Sequence, residues 1–327
     1  MKIKRLVIEN FKSIERIELS EPNPFTVFVG PNGSGKSNIF EALEFVNLNY
    51  KLGSQGALSV MGGWDSIRNR HRSHELFKSI IEFADYEISI DPAKSEKTDV
   101  LSYIYSMPLV EGIHMHPNDS LNKKQFINGF TRLFVKNNQI VKISLNDNQR
   151  LSLSAANLEK VLKRILSDQT LRAEIFEWLD LFVPGFRAVE VDDRDELHWF
   201  EESIPDYFTK DLISDGTYNI LAMLAAVYQS DDKPQFLCIE EPENGLHPQV
   251  AGELVDFFRI MCEERGHYIW LNTHSQSMAA RVKPEEFVIV EKKQGATVTR
   301  QFRKEDFHGM RVDEAWLTNA LNGGLAW

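Results

Sequence analysis

The stretch VFVGPNGSGKSNIFEAL, Val27 to Leu43, constrains the chain more than any other. Apolar β-favouring residues run into a glycine-rich turn, and the turn runs straight into a helix with Ile39, Ala42, Leu43 and Val46 on one side. Gly30 to Ser37 matches G-x-x-x-x-G-K-[ST]. Glycines at such spacing let backbone N–H groups close around phosphate oxygens with no Cβ in the way. Within the turn, Asn32, Gly33, Ser34 and Gly35 form the cradle and Lys36 brings a point charge. Ser37 offers a hydroxyl ligand for Mg²⁺, and the positive end of the helix faces the same anion. With a strand before it and a helix after it, the turn predicts a nucleoside triphosphate site in an α/β fold.

A second constellation lies far downstream. PQFLCIEEPENGLHP, Pro234 to Pro248, has a continuous apolar run from Phe236 to Ile239, as expected of a strand buried on both faces of a parallel sheet. It ends in Glu240 and Glu241 at the carboxyl edge, where open α/β sheets bind ligands. Successive strand residues point to opposite faces, which predicts two different jobs. Glu240 is expected on the metal side, and Glu241 is expected to polarise an attacking water. A third strand, from Tyr268 to Leu271, leads into Asn272-Thr273-His274-Ser275 and sets His274 at the same edge, near the terminal phosphate. His247 reads equally well as a contact or as a polar residue at a helix start.

Together these segments resemble the ABC-type ATPase heads of the SMC, RecF and OLD families, closest to small RecF/OLD-like ATPases of anti-phage systems. Ile3 to Leu19, containing IENFKSI, resembles their first strand pair; GPNGSGKSN, ending in Asn38, resembles their Walker A motif. FLCIEEPENGLHP resembles Walker B with the D-loop, and NTHSQSM resembles the His-switch. LISDGT, Leu212 to Thr217, corresponds in position to the ABC signature, although Asp215 stands where many signatures have Gly. The resemblance implies that Ser214 and Gly216 bind the γ-phosphate held by a second subunit. It also implies a homodimer or higher homo-oligomer that sandwiches ATP and Mg²⁺. No glutamine of the Q-loop stands out among Gln125, Gln139 and Gln149.

The expected fold is therefore a mostly parallel core sheet flanked by helices, with an antiparallel N-terminal β region and an inserted, mainly helical lid. The expected divisions are 1–91, 92–203 and 204–327. In the middle segment, Ala155, Leu158, Val161, Leu162, Ile165 and Leu166 mark one helix face, and Leu171, Ile175, Phe176, Leu179 and Phe182 mark a second, ended by Pro184-Gly185. No heptads sustain a long coiled-coil arm.

Net charge is -11, so bulk charge does not draw the chain onto nucleic acid. DNA or RNA contact would need a local basic surface, for which RNRHRSH, from Arg68 to His74, is a candidate. Cys238 and Cys262 lie in apolar segments and read as buried thiols. No apolar run reaches the roughly 18 residues that span a bilayer, and the expected location is the cytoplasm. OLD-type proteins carry a Toprim nuclease after the His-switch, for which the residues here are too few. The tail instead resembles that of small RecF/OLD-like ATPases, and this resemblance implies a separately encoded, nuclease-like effector. Trp316, Leu317, Leu321 and Trp327 either dock such a partner or pack on the chain's own core. Two functions follow: a sensor or regulatory ATPase of an anti-phage system, or a RecF-like DNA repair ATPase.

Overall fold

A computed structural model describes residues 2–91, 121–135, 148–231, 233–318 and 320–321. Its centre is a six-stranded sheet assembled from distant parts of the sequence. The strands are β3 (Phe25–Val29), β6 (Phe130–Leu133), β10 (Phe236–Glu240), β11 (Tyr268–Thr273), β12 (Phe287–Lys293) and β13 (Ala296–Gln301). Their order is β13-β12-β3-β11-β10-β6, with every pairing parallel except that of β13 with β12.

Strand alternation explains why this sheet separates two cores. On one face lie Val27, Val29, Leu237, Ile239, Ile269, Leu271, Phe287 and Ile289, packed into one apolar cluster. Their neighbours Phe28, Phe236, Cys238, Tyr268, Trp270, Val288 and Val290 belong to the cluster on the other face. Both faces are covered, so the strands read as unbroken apolar runs.

The second face is covered by helix α1 (Lys36–Met61), interrupted at Gly53, and by an antiparallel sheet in the order β2-β1-β4-β5. Its strands are β1 (Ile3–Phe11), β2 (Ile14–Ser20), β4 (Lys78–Phe83) and β5 (Glu87–Ile90). A short helix, α2 (Trp64–Ile67), joins these layers, and α3 (Leu121–Gly129) precedes β6. The first face is covered by α4 (Leu158–Leu166), α5 (Gln169–Phe182), α6 (Asp215–Tyr228) and α7 (Pro248–Arg265). Beside them stands a small antiparallel sheet of β7 (Phe186–Val191), β8 (Leu197–Glu201) and β9 (Tyr207–Thr209).

The two helices expected in the middle segment form and bury most of their predicted apolar faces, although Ala155 lies before the first helix, at φ 56, and Leu166 and Phe176 are only partly buried. That segment does more than the expected lid: it gives β6 to the central sheet, and Leu158, Val161, Ile175 and Leu179 share one core with Leu221, Leu254 and Phe258. Cys238 and Cys262 are free and buried. Near the C-terminus, α8 (Gln276–Ala279) and α9 (Val312–Leu317) pack together. Trp316 packs against the core and Leu321 is buried, whereas Leu317 is exposed; Trp327 lies outside the described residues. Among the described residues, no helix is long and apolar enough to cross a membrane.

Candidate functional site

The phosphate-type turn sits where β3 meets α1, against the β12–β13 hairpin. The hairpin explains two of its glycines. A Cβ on Gly30 would lie 2.0 Å from the carbonyl oxygen of Val290, and one on Gly35 would lie 2.0 Å from Thr297 Oγ1. Gly35 also has φ 103 as it starts α1, a conformation costly to any residue with a Cβ. A relay of side chains fastens the turn from outside. Asn38 Nδ2 donates to Ser13 Oγ (2.7 Å), Ser13 is bonded to Thr297 Oγ1 (2.6 Å), and Thr297 donates to the Ser34 carbonyl (2.8 Å). The Ser34 hydroxyl is buried and, among the described residues, has no hydrogen-bond partner.

Inside the turn, Lys36 Nζ donates to the carbonyls of Gly30 (2.8 Å) and Pro31 (3.1 Å). Burial lowers the Lys36 ammonium to a pKa of about 8, against the opposing pull of Glu241, Glu243 and Glu240. A desolvated cation aimed into a glycine cradle fits a polyphosphate. Asn32, Gly33, Gly35, Lys36, Ser37, Asn38, Glu241, Asn272 and His274 line a cavity of about 240 Å³.

Three strand ends converge on this cavity. β10 and β11 run in register, with Glu240 opposite Asn272. Ser37 Oγ donates to Glu240 Oε2 (2.5 Å), and Asn272 Nδ2 donates to the same oxygen (3.1 Å). Ser37 and the buried Glu240 thus present hard oxygen donors side by side, the chemistry a Mg²⁺ ion requires.

Glu241 differs from Glu240 because the chain leaves the strand there. Its φ is 47, its N–H donates to the Asn272 carbonyl (2.9 Å), and its side chain emerges partly exposed into the cavity. Asn244 Nδ2 donates to Glu241 Oε2 (2.9 Å) and fixes the carboxylate's direction. His274, exposed at the tip of β11, is anchored by its N–H donating to Glu243 Oε1 (2.9 Å). Burial, then the nearby Lys36 charge, lowers the imidazole pKa despite Glu241, while burial raises that of Glu243.

The signature-like segment is built but stands elsewhere. Ser214 caps α6 by accepting the Thr217 N–H (3.0 Å), while Asp215 is exposed in the first turn. Gly216 packs so tightly on the turn after β10 that a Cβ would lie 2.4 Å from the Gly245 carbonyl oxygen. Asn219 Nδ2 donates to the Asn244 carbonyl (2.6 Å) and completes this junction. Neither Ser214 nor Gly216 is among the residues lining the phosphate cavity of its own chain. Two other readings resolve locally: His247 caps α7 through the Gln249 N–H, and neither Gln125 nor Gln149 lines the cavity. Gln139 lies outside the described residues.

The basic tract is mostly neutralised. Arg68 pairs with Asp65 (2.7 Å), and Arg72 pairs with Glu15 (3.0 Å) and Glu75 (3.3 Å). Arg70 and His71, with Lys12 and Lys292, line a separate cleft of about 610 Å³.

Sequence reasoning assigned no role to Asn272, Asn244, Glu243 or Arg132. The first three stand inside the quoted motifs, at a strand tip or in the following turn. A charged residue within the apolar run FTRLFV was the signal for Arg132.

Comparisons with known proteins agree with this geometry. The family model described as "AAA domain, putative AbiEii toxin, Type IV TA system" matches residues 110–278, just over half of the chain. The RecF/RecN/SMC N-terminal domain model matches residues 2–100. Among curated proteins, the chromosome partition protein Smc of Bacillus subtilis is 48% identical over 64 residues, covering 19% of this chain and 5% of that protein. The DNA replication and repair protein RecF of Erwinia tasmaniensis is 33% identical over 99 residues, covering 30% of this chain and 26% of RecF. The matched stretches thus span only a small part of these relatives. Among solved structures, the SmcHead bound to the C-winged helix domain of ScpA shares the fold at TM-score 0.58 and 17% identity, over 94% of this chain and 99% of that one. The SMC head domain from Thermotoga maritima does so at TM-score 0.52 and 14% identity, over 93% and 100%. The chain therefore belongs to the AAA-domain family whose description names a putative AbiEii toxin of a type IV TA system, and within it is an SMC/RecF-like ABC-type ATPase head.

Proposed function

We propose that the chain binds and hydrolyses Mg-ATP and uses the cycle as a conformational switch between separate and paired subunits. Backbone groups of Asn32 to Gly35, with Lys36, hold the phosphates, and Asn38 steadies the turn through Ser13. Ser37 and Glu240 hold Mg²⁺, which when bound neutralises charge on the phosphate oxygens. Glu241 orients and deprotonates the attacking water, and His274 contacts the terminal phosphate. Ser214 and Gly216 act on the ATP held by a second copy.

The observation that carries this reading is the division of labour at the end of β10. Glu240 is buried and bonded to Ser37, while the next residue turns out of the strand into the cavity opposite Lys36. Pairing is supported by the separation of Ser214 and Gly216 from their own chain's phosphate cavity. A test is Glu241→Gln, which keeps the shape and the Asn244 contact but removes the base. It should bind ATP as the wild type does and lose about 10²–10⁴-fold in turnover. Wild-type turnover by that variant would remove Glu241 from the role.

The family description names a putative toxin of a type IV TA system, a setting of paired components. Our reading of this switch within such a pair is a sensor or regulatory subunit of anti-phage defence beside a separately encoded effector. A second reading, a RecF-like ATPase that acts in DNA repair, is favoured by the RecF match. Co-purification of the native protein with a neighbouring gene product supports the first. Strong stimulation of turnover by plain duplex DNA supports the second, with the cleft beside Arg70 and Lys292 as the basic surface.

A further inference from the structure

Arg132, on the sheet-edge strand β6, is a buried cation with three carboxylates around it. Its side chain is 4% exposed. Nε donates to Glu240 Oε1 (2.5 Å), Nη1 to Glu44 Oε2 (2.7 Å) and Nη2 to Glu41 Oε1 (3.2 Å). Lys12, from the β1–β2 turn, pairs with the other oxygen of Glu41. Among the described residues, Arg132 and Lys12 thus stand against Glu41, Glu44 and Glu240.

The geometry divides the two oxygens of Glu240. Oε1 is taken by the guanidinium, and Oε2 is turned to Ser37 Oγ and Asn272 Nδ2. A carboxylate held in this way offers one oxygen, in one direction, to whatever binds beside Ser37. The planar fork of an arginine does this while also gripping two residues of α1, the helix that begins with Lys36 and Ser37.

We infer that Arg132 is the positioning residue of the metal side: it fixes Glu240 as a one-oxygen ligand and ties the end of β10 to helix α1, so that Mg²⁺ affinity depends on it. This rests on the proposed reading of Ser37 and Glu240 as the metal side. Groups that orient metal ligands change metal affinity by about 10–100-fold when removed.

The test is equilibrium binding of a fluorescent ATP analogue to the full chain, titrated with Mg²⁺ and repeated in EDTA. Two variants are compared with the wild type. Arg132→Lys keeps the charge but has no fork. The double variant Arg132→Gln/Glu44→Gln removes one charge of each sign, so the cluster's net charge is unchanged. Both should need about 10-fold or more Mg²⁺ for half-saturation, with EDTA affinity close to wild type when binding is read well below each variant's lowered thermal midpoint. Wild-type Mg²⁺ requirements in both variants would overturn the inference, as would an equal loss of affinity in EDTA. If the wild type itself binds the analogue without regard to Mg²⁺, the reading of Glu240 and Ser37 fails first. A Mg²⁺-dependent wild type with unaltered variants sinks only the role of Arg132.

Discussion

Gly35→Ala should destabilise the nucleotide-free protein through two separable effects. The first is backbone strain: φ is 103, and the left-handed region costs a residue with a Cβ about 1–2 kcal/mol. The second is collision, because the new methyl would lie 2.0 Å from Thr297 Oγ1, 2.8 Å from Ser13 Oγ and 3.0 Å from Thr297 Cγ2. Thr297 must then give way and release its bonds to the Ser34 carbonyl and Ser13 Oγ. Two such bonds are together worth about 2 kcal/mol, for a total of about 3–4 kcal/mol. Thr297→Ala alone removes the same bonds and should cost about 2 kcal/mol. In that background Gly35→Ala should cost the strain and the remaining approach of the methyl to Ser13 Oγ at 2.8 Å, a coupling of up to about 2 kcal/mol in a double-mutant cycle. Gly33→Ala serves as a control, since φ is +74 but nothing lies within 4 Å of its Cβ; about 1–2 kcal/mol is expected whatever occupies position 297. The assay is urea unfolding of each variant. Equal costs of Gly35→Ala with and without the Thr297 side chain would refute the claim that the hairpin shapes the turn.

Gly216→Ala forces a methyl to within 2.4 Å of a backbone oxygen at Gly245, so the start of α6 must shift off the turn after β10. Nucleotide affinity of the isolated subunit should be kept and turnover should fall by about 10²-fold; loss of affinity with full turnover per bound ATP would contradict the assignment. His267 is fully buried, and burial pushes its pKa down from 6.5 to about 4 against the opposing effect of the Val227 backbone. Between those values the unfolded chain binds more protons than the folded one, so its contribution is level above about pH 6.5 and stability falls as pH drops towards 4, by about 3 kcal/mol in all. His267→Gln should flatten that part of the stability profile in unfolding experiments; an unchanged slope would contradict the reading.

Much of the site was legible because its chemistry sits in contiguous words. A strand, a glycine turn and a helix are adjacent in sequence, and apolar runs ending in Glu240 and His274 announced buried strands with polar tips. The contrast between Glu240 and Glu241 was readable from alternation, but its structural cause is the positive φ at Glu241, which alternation does not contain. Strand β6 was hidden: it has only four residues, and its pairing with β10 joins positions about a hundred residues apart. The charge of Arg132 inside an apolar run was a signal, but its partners were illegible, since Glu41, Glu44 and Glu240 reach it only after the sheet has formed. The sharing of one core by the middle segment and the rest of the chain was likewise invisible, because amphipathic spacing in α4 and α5 says which face is buried but not against what.

The paired state is the most direct consequence of the proposed site. Glu241→Gln, with saturating Mg-ATP, should run at twice the subunit mass in light scattering, and should return to the subunit mass when Ser214 is also replaced by Arg. A single subunit mass for Glu241→Gln under those conditions, with nucleotide demonstrably bound, would contradict it.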